Sequence, residues 1–143
     1  MATLEEGLNT HLRASAAVTA LVSNRIRPIR RRAKDGTGDA ITYRRKRGGF
    51  QHDLSGGTGR VHAIVEISCW SQDYDDAKAI AEAVRNELQG NSGTMNGLDA
   101  ISITLLDEED DYIDPSDGSD NGWFVCVVDY LIIRQNPIPV PTI

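Results

Sequence analysis

The chain has 143 residues, 25% of them charged and 40% hydrophobic, with a net charge of −6 at pH 7. That length fits one domain, which buries roughly two-thirds of the surface its unfolded form exposes; no apolar run approaches the roughly 18 residues of a membrane span, so no membrane partner is expected. The two cysteines, Cys69 and Cys126, sit in apolar strand-like runs and read as reduced, buried thiols of a cytosolic protein, which excludes a disulfide framework.

The opening "MATLEEGLNTHL" is acidic and lacks an apolar core, so no secretory leader is expected. Thr3 and Glu6 have capping-box spacing, and Leu4, Leu8 and Leu12 recur on one face of the helix that follows. Ala16–Ser23 predicts a second short helix, broken near Asn24. Arg25–Arg30 is extended, and Pro28 favours an edge or irregular strand over a central one. The charged, glycine-bearing segment 31–40 predicts a mobile loop. "ITYRRKR" (41–47) predicts a strand, and "GGFQHDLSGGTG" (48–59) a second flexible loop.

"RVHAIVEISCW" (60–70) alternates, with Val61, Ala63, Val65, Ile67 and Cys69 on one face. In "QDYDDAKAIAEAVRNELQG" Asp73 is the N-cap, and Asp75 and Asp76 favour the positive end of the helix dipole. Ala77, Ile80, Ala81, Val84 and Leu88 form the apolar stripe, and Gly90 the residue after the helix. Each acid in that stretch has a structural use, so no catalytic base is invoked. "AISITLLDEED" (100–110) starts as a strand and dissolves into acid, and 110–122 predicts a loop. "WFVCVVDYLIIR" (123–134) is apolar on both faces, as in a central strand or one at an assembly interface. "NPIPVPTI" closes the chain as an extended proline-rich tail. The expected fold is α+β: one domain over 1–135 with a mostly antiparallel sheet of about four to five strands, two to three helices on one face, and the tail 136–143.

Motifs for chemistry are weak. "SGGTGR" (55–60) lacks the phosphate-loop pattern and precedes a strand, so it reads as a hairpin loop. "DGSDNG" (117–122) resembles the start of a calcium loop, but its twelfth position is Val128. His11, His52 and His62 have no metal spacing, and Ser68 lacks a nucleophile-elbow context. No metal, no cofactor and no catalytic residue is therefore expected. Charge is the strong signal. Residues 1–62 hold twelve Lys/Arg against five Asp/Glu, a net +7, whereas residues 63–143 carry −13. One basic and one acidic half fit copies of the chain packed head to tail, or a polyanion on the basic half. Asp129, inside an apolar strand, implies an exposed face, an ion pair with an arginine of "ITYRRKR", or a subunit interface.

The order "AVTALVSNRIRP", "AITYRRKRGG", "HDLSGGTGRVHAIVEISCWSQDYDDAKAIAEAVRNELQG" and "WFVCVVDYLIIR" resembles the tail-completion family of long-tailed bacteriophages and prophages, also called tail-terminator or tail-to-head joining proteins. The resemblance covers about residues 15–134, and its most specific parts are Val61–Gly90 and Ala20–Ile26. It implies a ring, usually hexameric, that caps the tail tube, ends its polymerisation and meets the head connector. The implied partners are copies of the chain, the major tail tube protein, a head-completion or connector protein, and DNA in the lumen. The implied location is the head–tail interface of the virion, after assembly in the host cytoplasm.

Arg30, Arg31, Arg32, Arg44, Arg45, Lys46 and Arg47 are the expected contacts for acidic neighbours or lumen DNA. Glu108, Glu109, Asp110, Asp111 and Asp129 are the expected acidic side of the interface. The glycine-bearing loops 31–40, 48–59 and 107–122 are expected to order on assembly. The alternative function is a non-specific nucleic-acid-binding module using the basic N-terminal half.

Overall fold

The computed structural model describes residues 4–32, 36, 38–53, 56–89, 93–95, 98–114 and 122–135. The proline-rich segment 136–143 and Thr3 lie outside them, as do most of 31–37 and residues 115–121.

Helix α1 (Leu4–Ala14) buries Leu8 and Leu12 completely, as its four-residue leucine spacing dictates. From α1, Arg13 donates to Asn9 Oδ1 at 2.6 Å and to the Ile26 carbonyl at 2.7 Å, and the second bond fixes the helix to the first strand. Ser15 caps α2 (Ala16–Val22), its Oγ accepting from the Val18 N–H at 3.4 Å. Strand β1 (Ile26–Pro28) is an edge strand, as the proline predicts, and it runs parallel to β2 (Ala40–Asp53) in the register Ile26↔Ile41 to Pro28↔Tyr43. After Pro28 the chain turns sharply: Ile29 adopts φ 70, a left-handed conformation that a β-branched residue rarely takes.

Strands β2 and β3 (Gly56–Ser71) form one long antiparallel hairpin, from Ala40↔Trp70 to Asp53↔Gly56, with register shifts between Arg45 and Arg47 and between Phe50 and His52. This corrects the flexible loop expected over 48–59, since only residues 54 and 55 lie between the strands. The glycines disfavour strand locally. The ladder propagates into them from residues anchored on the core, and pairing outweighs a propensity worth at most about 1 kcal/mol per residue.

Helix α3 (Tyr74–Leu88) follows β3 and starts at Asp73, whose Oδ1 accepts from the Asp75 N–H at 2.9 Å. Its buried residues are the predicted stripe Ala77, Ile80, Ala81, Val84 and Leu88. The C-cap is Gln89; Gly90 lies outside the described residues.

Strand β4 (Gly93–Met95) pairs only with the start of β5 (Leu98–Ile113), and β5 pairs along its length with β6 (Trp123–Gln135). The acidic run is thus strand and not loop: Asp107↔Asp129 through Ile113↔Trp123 remain in the ladder. The α+β class holds, with the sheet order β1-β2-β3-β6-β5-β4. The four long strands alternate in direction, and β6 is central, between β3 and β5.

Register places Ala63, Val65, Ile67 and Cys69 opposite Ile132, Tyr130, Val128 and Cys126. All eight are buried and join α1, α2 and α3 in one core, so the helices cover this face of the sheet. The opposite face carries Ile64, Leu131 and Ile133, half-buried and not covered by a described helix.

Candidate functional site

The open face of the sheet carries a row of charge that crosses all four long strands. Glu66 on β3 stands opposite Asp129 on β6, which stands opposite Asp107 on β5. Three carboxylates in adjacent register repel. Strand β2 supplies the counter-charge: Arg44 donates through Nε and a terminal nitrogen to both Glu66 oxygens at 3.2 Å, and Lys46 reaches Asp129 Oδ2 at 3.1 Å and Glu66 at 3.8 Å. Asp129 therefore pairs with "ITYRRKR", through its lysine and not an arginine. The other Asp129 oxygen, Oδ1, is buried and has no hydrogen-bond partner among the described residues.

The remaining basic candidates divide. Arg45 faces the helix side and bonds Glu5 of α1 at 2.9 Å. Arg31 stacks its guanidinium over Trp123 at 3.7 Å and Trp70 at 4.8 Å, on the open face. Arg30 and Arg32 are exposed beside it, and with Ile29 and Trp70 they line an open cleft of about 500 Å³. The backbone of Arg47 pairs with Ile64; its side chain lies outside the described residues.

Two of the acidic candidates are held by α3. Glu108 bonds Lys78 at 3.2 Å and Arg85 at 2.9 Å, and Asp110 bonds Lys78 at 3.1 Å and accepts from the Tyr74 hydroxyl at 2.7 Å. The Asp110 carboxyl is held below its usual range by the Tyr74 and Lys78 hydrogen bonds. Burial pushes Glu108 upward, but hydrogen bonds from Cys126 and Lys78 overcome it and its carboxyl also lies low. Glu109 and Asp111 are exposed. The acids were legible in the sequence, but their partners were not named there. The signal was available: Lys78 and Arg85 are seven residues apart, on one side of the α3 stripe.

Stability linked to Glu108 and Asp110 has a definite sign. Their folded carboxyls titrate below the unfolded values, so the contribution is present above about pH 4 and is lost as pH falls through the folded values. Lys78→Met keeps the apolar stem and removes the charge. It is expected to cost about 1 kcal/mol at neutral pH and to flatten the loss of melting temperature below about pH 5. Melting curves from neutral to acid pH check this; superimposable pH profiles for the two proteins would refute it.

Cys69 and Cys126 are directly opposite each other, buried and free. Burial and the Glu108 hydrogen bond push the Cys126 thiol up to about 12, and burial pushes Cys69 higher still. Both stay protonated near neutrality and are poor nucleophiles. Among the described residues no histidine joins them: His11 Nε2 lies 3.2 Å from a Glu87 carboxylate oxygen, and His62 is exposed on the open face of β3. Among the described residues no group of His, Cys, Asp and Glu could hold a metal ion, and no helix is long and apolar enough to cross a membrane.

The arrangement is a charged sheet face flanked by a basic and an acidic strand. The family model of "Tail completion protein gp17" matches residues 6–133, from α1 almost to the end of β6. No curated protein matches. Among solved structures, a chain described as "Virion of native gene transfer agent (GTA) particle" is similar in fold. It has a TM-score of 0.73 and 17% identity, and the match covers 92% of this chain and 95% of that one. With the match taking in all or nearly all of each helix and each long strand of the sheet, the chain belongs to the tail completion protein gp17 family.

Proposed function

We propose that this chain is a structural protein of virion tail assembly, which forms a ring at the end of the tail tube, ends tube growth and joins the tail to the head connector. The family match over residues 6–133 carries the reading. The geometry supports it. The basic strand β2 and the acidic strand β5 lie on opposite sides of the β3–β6 pair, so one copy offers its neighbour two unlike flanks. Unlike flanks make heterologous contacts, which close into a ring when the rotation from copy to copy closes. The tube protein, the connector and DNA in the lumen are the partners of that ring, at the head–tail interface of a particle assembled in the host cytoplasm. Arg30 and Arg32, exposed beside the stacked Arg31, are the cations best placed for phosphate.

Ring formation is expected to rise with protein concentration and to weaken with salt, by at least about threefold in half-assembly concentration between about 0.05 M and about 0.5 M. Mass photometry across a salt series, with negative-stain micrographs of closed annuli, is the test. A chain that stays monomeric at every concentration and salt overturns the ring. The alternative, a nucleic-acid-binding module, predicts tight DNA binding by isolated subunits with a steep salt slope. Its basic half is already committed in part, since Arg44, Arg45 and Lys46 pair with acids of the same chain.

A further inference from the structure

We propose that neighbouring copies join by continuing the sheet: the open edge of β2 in one copy pairs antiparallel with the open edge of β5 in the next, setting Arg44–Arg47 against Asp107–Asp111. The inference rests on the ring reading above and specifies how its subunits meet.

The backbone supplies the first argument. Strand β1 covers only residues 41–43 of β2, and β4 covers only residues 98–100 of β5. Residues 44–53 of β2 and 101–113 of β5 thus have no outer neighbour among the described strands. Edges of that length template pairing with another chain, and proteins blunt or occupy them. The β5 edge is also apolar in places. Leu106, Tyr112 and Ile113 are 47%, 40% and 43% exposed, half of the large exposed apolar side chains among the described residues.

The outward donors of β5 are occupied locally. The Glu108 N–H donates to Asp107 Oδ1 at 2.9 Å, and the Tyr112 N–H donates to Asp111 Oδ1 at 2.8 Å. These amides bond the preceding side chain, so at the edge each is held by a local carboxylate. A cation that draws the two carboxylates aside releases both donors for an incoming carbonyl. Strand β2 carries such cations at its own edge.

Direction and face agree. The long strands alternate, so a neighbouring copy turned about a ring axis brings its β2 antiparallel to β5 and extends the alternation. Asp107 lies on the open face, opposite Asp129, and Glu109 and Asp111 follow on that face by the period of two. None of the three has an ion pair among the described residues, and they stand about 7 Å apart along one strand. Arg44 and Lys46 share that face; they bond Glu66 and Asp129 of their own chain and, 53% and 38% exposed, also present charge outward. Charge complementarity therefore favours a second copy of this chain over other occupants of the edge.

Cysteine pairs test the seam in the full chain. Lys46→Cys is combined in turn with Asp107→Cys, Glu109→Cys and Asp111→Cys, and oxidised mildly; the native thiols are buried. One pairing is expected to give a covalent ladder up to the size of the ring on a non-reducing gel. Hydrogen exchange of the unaltered protein, monomer against ring, guards against a variant that fails to fold. The peptides spanning 44–53 and 101–113 are expected to exchange at least about tenfold more slowly in the ring. Rings that form normally with no ladder at any pairing and no added protection overturn the seam and leave the ring standing. A chain that never assembles overturns both.

Discussion

Replacing Tyr130 by alanine is expected to lower the unfolding free energy by about 4 kcal/mol, the upper part of the range for a buried aromatic ring. Tyr130 is the largest fully buried side chain among the described residues, on the central strand β6 beneath the helices, opposite Val65 and Leu105. Its loss opens a cavity where strands and helices meet. Phenylalanine separates the ring from the hydroxyl. The Tyr130 hydroxyl is buried without a hydrogen-bond partner among the described residues, and burial holds its proton well above the usual tyrosine range. Removing an unpartnered hydroxyl recovers its desolvation cost, so Tyr130→Phe is expected to lie within about 0.5 kcal/mol of the parent or above it. Urea unfolding of the three proteins at equal m-values is the measurement. A phenylalanine variant that loses more than about 1.5 kcal/mol would show that the hydroxyl has a partner.

Gly122→Ala is expected to cost about 2 kcal/mol, seen as a drop of about 6 °C in melting temperature. Gly122 is buried just before β6, packed against the end of β5. A Cβ there would overlap the Tyr112 hydroxyl and ring and would lie 2.5 Å from the Ile113 carbonyl oxygen. The Tyr112 ring is partly exposed and can swing aside, at the expense of its contact with Phe124 at 4.9 Å between centroids. The Ile113 carbonyl belongs to a strand paired with Trp123 and cannot. Adding Tyr112→Ala should therefore leave most of the loss in place. Full rescue by that second change would show that the clash lies with the ring alone.

The parts of the fold that were legible are those whose signals are local. The Asp73 cap, the five-residue stripe of α3 and the alternation of β3 each repeat within one element, so each could be read without knowing what packs against it. The lengths of β2 and β5 were not legible. Glycine in one and clustered acid in the other oppose strand, and what holds them there is pairing with β3 and β6. The same holds for the charges. Arg44 finds Glu66, Lys46 finds Asp129 and Lys78 finds Glu108 only once the sheet has formed and α3 lies across it. Counting charge along the chain gave two halves of opposite sign. Folding neutralises part of each half internally and leaves Asp107, Glu109 and Asp111 on an open edge with no ion pair among the described residues, a distinction that composition does not carry.

The twist at Ile29 has a geometric effect beyond its own residue. By veering away right after Pro28, the chain ends β1 at three residues. A continuation in the extended conformation would run alongside Arg44 and beyond, zipping up that flank from within. A left-handed kink at one β-branched position thus acts as a doorstop: among the described residues it leaves the flank of β2 past Tyr43 with no strand beside it, room for a sibling molecule.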